Sequence, residues 1–252
     1  MSTVVIEPRF CGPPRSGHGG YTAGLVAEVL GSPAEVTLLA PPPLETPLDL
    51  VTEGEGTALL RAGETTVASG REVGTVDVVD AFPDGLGPLR WADAEAAAER
   101  YAEVVPEHPF PTCFGCGPDR SADEALALRT GPVDSVPGLF AAPWVPSVEY
   151  AEPDGTLATR MIWAALDCPT GALFLARGGA AVLGRLAVDV RGPVSVGYRY
   201  IVAARATGDD GRKHHAEAVL ATDMGNVQAV ARATWIDVDP ATFAEDIGKK
   251  EN

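Results

Sequence analysis

Residues Asp154–Gly184 read DGTLATRMIWAALDCPTGALFLARGGAAVLG, and the reading of this stretch decides the fold. Its middle, Met161–Leu166, is apolar almost all round and lacks the polar stripe of a surface helix. Such a segment is expected to be a helix, over about Thr159–Leu175, buried inside a sheet. One acid, Asp167, stands at its heart and is followed by Cys168 and Pro169. A buried carboxylate without partners is costly, so Asp167 should be hydrogen-bonded, cap a helix or face a cleft. The plain structural alternative is that it caps a second, short helix beginning at Pro169.

Downstream, LGRLAVDV (183–190), VSVGYRYIVAARATG (194–208), RKHHAEAVLATD (212–223) and NVQAVARATWIDV (226–238) read as strands separated by Gly/Pro/Asp turns. Upstream, strands are expected at Leu126–Val133 and Gly138–Pro143. The first part of the chain repeats this order. A Pro/Gly loop leads through Gly19-Gly20 into a helix over about Gly20–Leu30, closed by Gly31. Strands follow in AEVTLLAPP (34–42), LDLVTEGE (48–55), TALLRAGET (57–65) and EVGTVDVV (72–79), with a break at Pro41–Pro43. Residues 34–51 lie over 184–202 with the proline break in register, and the following hairpins also align. The pattern points to a tandem duplication: an N-terminal unit at 1–80, a connector at 81–112 with one helix (Ala92–Val105), a C-terminal unit at 113–240 and a tail at 241–252. The connector opens on a Pro/Gly loop, Asp80–Pro88.

The totals narrow the partners. With 19 Lys and Arg against 35 Asp and Glu, the formal charge of −16 argues against nucleic acid and anionic membrane surfaces. No apolar run reaches membrane-spanning length, and Met1–Phe10 lacks a signal peptide's basic start, so the cytoplasm is the expected location. Four cysteines (Cys11, Cys113, Cys116, Cys168) are too few and too uneven for a disulfide framework in 252 residues. Cys113-x-x-Cys116 invites a zinc reading. Structural zinc needs four ligands, however, and neither a second Cys pair nor a His-x-x-x-His is present, so no metal is expected and the pair reads as a tight turn of buried thiols. Cys168 lacks a neighbouring His that would make it a nucleophile. His214-His215 follows a charged turn and reads as solvated.

Three motifs in order carry a resemblance. His18-Gly19-Gly20 before a helix is similar to the His-Gly-Gly helix start of phenylacetic-acid-type acyl-CoA thioesterases. Cys113-Phe114-Gly115-Cys116-Gly117-Pro118 resembles the Cys-x-x-Cys-Gly opening of many single hotdog chains, and Ile162–Asp167 resembles the helix segment with their catalytic acid. The sequence thus resembles a double hotdog protein of the acyl-CoA thioesterase-like superfamily. The resemblance implies an α+β fold of two antiparallel sheets, each wrapping a central helix, with the halves paired as in the usual dimer. It also implies a site between the two units, a carboxylate acting as base or nucleophile, and helix-start amides holding the thioester oxygen.

Carried onto this chain, the catalytic candidates are Asp167, Gly19, Gly20 and His18, and the substrate-binding candidates are Glu28, Arg160, Tyr21 and Trp163. Ala158-Thr159-Arg160 stands where the second unit would have its own His-Gly-Gly, so Glu28 with the Arg160 turn makes a decayed counterpart. The expected substrate is an acyl-CoA or an acyl-carrier thioester, with no cofactor and with homo-oligomers possible. The alternative is an acyl-ligand-binding protein or scaffold with decayed sites. Geometry separates the two readings. A hydrolase brings Asp167 to the Gly19–Gly20 amides across a cleft, whereas a scaffold pairs Asp167 with Arg160 or Arg177. The hydratase branch of the fold uses an Asp and a His five residues apart, and no such pair occurs.

Overall fold

A computed structural model describes residues 2–78, 86, 89–241 and 243. The expected Asp80–Pro88 loop and the 241–252 tail lie almost wholly outside them. The elements are β1 (Ser2–Val4), α1 (Gly19–Leu30), β2 (Ala34–Leu38), β3 (Leu48–Thr52), β4 (Thr57–Ala62), β5 (Thr65–Glu72), α2 (Trp91–Glu99), α3 (Tyr101–Val104), β6 (Gly131–Pro132), β7 (Leu139–Trp144), α4 (Thr159–Leu175), β8 (Ala181–Val190), β9 (Tyr200–Asp210), β10 (Lys213–Thr222) and β11 (Val227–Asp237). The fold is α+β, with every strand pair antiparallel.

Two sheets were expected, and one is found. Its order is β1-β3-β4-β5-β2-β8-β11-β10-β9-β7-β6. The two halves fuse because β2 pairs directly with β8, from Ala34 opposite Val188 to Thr37 opposite Arg185, leaving neither strand an edge. Outward from this junction each half presents its strands in the same relative order, and a helix precedes the junction strand in each.

The sheet wraps α1 and α4, which share one apolar core with its inner face. Val26 of α1 and Trp163 of α4 are buried there with Leu60, Leu186 and Leu220. The helices run antiparallel and pack closely through Gly20 and Gly24. A Cβ at Gly20 would sit 2.5 Å from Asp167 Cβ, and one at Gly24 would collide with Arg160. The α2 helix lies against β7 and β6 on the other face of the sheet.

Three local expectations change. The strand expected at 72–79 is displaced: the hairpin closes at Gly63-Glu64, and the fourth strand is Thr65–Glu72, a short alternating segment that reads weakly in sequence. The strand at 126–133 shrinks to Gly131–Pro132, because Ala127 takes a left-handed φ of 51° that interrupts extended backbone. The connector helix divides at Arg100 into α2 and α3. Among the described residues no helix is long and apolar enough to cross a membrane.

Candidate active site

Four N–H groups at the start of a helix have no partner within it. In α1 three of them are taken. Tyr21 N–H donates to His18 Nδ1 at 3.2 Å, and the N–H of the capping residue His18 donates to the Phe10 carbonyl at 2.8 Å. Gly20 N–H donates to Asp167 Oδ2 at 2.6 Å, across from the other half of the chain. The Gly19 N–H has no hydrogen-bond partner among the described residues. Gly19, His18, Asp167 and Cys168 lie in the wall of a cleft of about 760 Å³ whose apolar sides include Leu38, Leu183 and Trp235. That size suits a small-molecule ligand.

Asp167 is 2 % exposed, and its Oδ1 has no hydrogen-bond partner. Burial pushes its carboxyl up to about 6, against the His18 charge and the Gly20 N–H, which favour the ionised form. His18 Nδ1 lies 3.4 Å from Asp167 Oδ2. Burial pulls the imidazole down, but the Asp167 charge and Cys113 outweigh it, and the net shift is upward. Each partner favours the charged form of the other, so the pair titrates as a unit. Neither arginine named above reaches Asp167: Arg160 pairs with Glu28 at 2.7 Å and Arg177 with Asp209 at 3.1 Å.

The other candidates lie elsewhere. Glu28 accepts from Arg160 N–H at 3.3 Å and from the guanidinium at 2.7 Å. This arrangement mirrors Asp167 on Gly20 N–H at the opposite ends of the same two helices, but an ion pair closes it and the cleft does not reach it. Tyr21 stacks on Phe10 with ring centroids 4.2 Å apart, and Trp163 is 1 % exposed. Both are core side chains that do not line the cleft, because their apolar rings fill the space between the helices and the neighbouring loop.

Cys113 and Cys116 are buried thiols of a turn, as expected, but the approach of Cys168 and His18 to that turn went unread in the sequence. Cys113 Sγ lies 3.7 Å from Cys168 Sγ, and His18 Nε2 lies 3.2 Å from the same sulfur. Hydrogen bonding from Cys116, then from Cys168, holds Cys113 well below the usual thiol range despite burial. On the outer side His108 Nε2 meets Cys116 Sγ at 3.2 Å. The elimination of further ligands by local spacing therefore fails, since the fold brings Cys168 and His18 to the Cys113–Cys116 turn.

The sequence matches no protein-family model and no curated protein. The fold does match solved structures. A protein of Novosphingobium aromaticivorans provisionally called a thioesterase superposes with a TM-score of 0.61 at 14% identity, covering 94% of this chain and 95% of its own. The TesB protein of Mycobacterium avium subsp. paratuberculosis gives 0.56 at 15% identity, covering 94% and 92%. This is the hotdog fold. At these identities the likeness extends to the whole path of the chain and stops at the fold. The hotdog helices are α1 and α4, and the cleft opens where their ends meet.

Proposed function

We propose that this protein hydrolyses an acyl thioester at the cleft between two tandem hotdog units, residues 1–80 and 113–240, joined by the connector 81–112. The order of strands outward from the β2–β8 junction supports the duplication. The observation that carries the chemistry is the meeting of a buried carboxylate oxygen without a partner, Asp167 Oδ1, with a helix whose first N–H, at Gly19, is left over in the same cleft. Because Gly20 N–H is engaged in holding Asp167, the oxyanion falls to Gly19.

In this mechanism Asp167 Oδ1 takes a proton from water as the hydroxide adds to the thioester carbonyl carbon. The negative charge that develops on the carbonyl oxygen is met by Gly19 N–H at the positive end of α1. Such a preorganised donor contributes about 3 kcal/mol. Collapse breaks the C–S bond, and the proton passes from Asp167 to the leaving thiolate. The apolar walls fit an acyl group, and the thiol portion is that of an acyl-CoA or of an acyl-carrier.

Asp167→Asn keeps the shape and removes the base. Its kcat, followed by release of free thiol from a panel of acyl-CoA substrates, should fall at least roughly a hundredfold. Glu28→Gln, in the closed counterpart, should change kcat little. Undiminished turnover in Asp167→Asn would remove this site. A wild type that hydrolyses neither CoA-bound nor carrier-bound thioesters would leave a binding protein in its place.

A further inference from the structure

We propose that Cys113, Cys116, Cys168 and His18 form a tetrahedral binding site for one zinc ion. The four residues come from three distant parts of the chain: the start of α1, the Cys113–Gly117 turn and the middle of α4. Yet His18 Nε2, Cys113 Sγ and Cys168 Sγ lie within 4.8 Å of one another, all buried. Zinc–sulfur bonds of about 2.3 Å at a tetrahedral angle place two sulfurs roughly 3.8 Å apart. Cys113 and Cys168 stand at 3.7 Å. The fourth ligand, Cys116, is on the same turn as Cys113 and beside Cys168; its thiol lies outside the 4.8 Å group and would swing inward to complete the set. Three thiolates and one imidazole form a donor set suited to zinc, whereas magnesium and calcium need oxygen ligands.

The surroundings favour a metal over a chance packing of thiols. Gly115 lies within the turn, and a Cβ there would collide with both Cys168 Sγ and His18 Nε2. The sequence thus keeps the space between these two atoms clear. His108 Nδ1 accepts from Phe110 N–H at 2.9 Å, which leaves its other nitrogen, 3.2 Å from Cys116 Sγ, to donate to that sulfur. The Tyr101 hydroxyl is buried beside the thiols and faces Cys116. A metal on His18 Nε2 would place the ring proton on Nδ1, giving up the bond that Tyr21 N–H makes there and turning Nδ1 to Asp167 Oδ2 at 3.4 Å, the carboxylate acceptor that metal-bound imidazoles commonly have. With four protein ligands the site is closed, so the ion would pin the Cys113 turn to both helices and orient the residues flanking Asp167. The thiols border the cleft, which gives the ion a way in.

The test uses the full chain and no substrate. Protein purified from zinc-supplemented medium and dialysed should hold about one zinc per chain by elemental analysis. After stripping, titration with cobalt alone should give thiolate-to-cobalt charge-transfer absorption and the intense visible bands of tetrahedral cobalt. Cys168→Ser and Cys116→Ser should weaken metal binding by more than roughly a hundredfold, beyond the usual effect of losing an outer partner. Cys11→Ser, outside the cluster, should bind as wild type does. Circular dichroism separates loss of metal from loss of fold, and the wild-type cobalt spectrum needs no variant. No zinc together with no cobalt bands would overturn the site, as would a mass two hydrogens low from a Cys113–Cys168 disulfide. Because these readouts do not involve turnover, their failure leaves the thioesterase reading standing, and the reverse also holds.

Discussion

Two adjacent glycines have different tasks at the start of α1. A Cβ on Gly20 would lie 2.5 Å from Asp167 Cβ and 2.6 Å from the Trp163 carbonyl, atoms fixed in the helix–helix contact. Gly20→Ala must therefore push α1 from α4, and urea unfolding should show a loss of about 1–3 kcal/mol. A Cβ on Gly19 meets Leu183 Cβ and Cδ2 at 3.0 Å and Leu38 Cδ1 at 3.2 Å, looser contacts than those at Gly20 and none of them with helix backbone. Gly19→Ala should lose less stability than Gly20→Ala while lowering turnover. Equal stability losses in the two variants would contradict this division. At this scale the sequence was informative for Asp167 and the glycine turn, where residue type itself limits the chemistry. It was silent on the approach of Cys168 and His18 to the thiol turn. Cys168 stands 55 residues from Cys113 and 150 from His18, and local spacing carries no trace of contacts at that range.

The element that decided the fold holds one deviation from its local grammar. Pro169 inside α4 suggests a helix start, yet the helix runs unbroken from Thr159 to Leu175. An interior proline costs about 3 kcal/mol. Burial of every residue from Met161 to Phe174 outweighs that cost, and Thr170 Oγ1 supports the turn by donating to the Asp167 carbonyl at 2.6 Å. Periodicity was legible here because a helix buried all round has no polar stripe, whereas β5 was missed for want of long apolar residues. Beside the turn between β9 and β10, His214 joins three elements. Its nitrogens lie 2.6 Å from Asp209 of β9 and 2.6 Å from Asp237 of β11, and its ring stacks on Phe174 of α4 with centroids 4.7 Å apart. Arg177 also pairs with Asp209, Arg212 reaches the Asp237 carbonyl, and Lys213 is adjacent. Burial lowers the pKa of His214, but its hydrogen bonds to Asp209 and Asp237 and their charges raise it above 6.5 overall. A raised folded-state pKa contributes stability that is full below the unfolded value and is lost as pH rises through the folded one. Wild-type stability in urea should accordingly decline from about pH 6 into the weakly alkaline range, and His214→Gln should flatten that decline. An identical slope in the variant would exclude His214 as its source.

For the whole molecule the decisive contact is the β2–β8 junction, which turns two expected sheets into one. Strand patterning marks which segments are extended, but it does not say which strands from different halves will pair, since any edge with free N–H and C=O groups is a possible partner. Here Ala34–Thr37 satisfies one edge of β8, and Arg185 Nε adds a hydrogen bond to Thr37 Oγ1 at 3.0 Å. A fragment of residues 113–252 loses this cover twice over. The outer edge of β8 is left unpaired, and the face of α4 around Trp163 and Ala164, packed in the full chain against Gly20 and Gly24, meets water. Both defects are relieved if two fragments join through β8 and α4, with the second copy standing in for residues 1–112. Sedimentation of the fragment should therefore show dimers or larger species, and adding residues 1–112 by co-expression should restore a one-to-one complex. A fragment that sediments as a monomer with native-like circular dichroism would mean that the C-terminal half is stable alone, and that the junction joins two finished units rather than completing them.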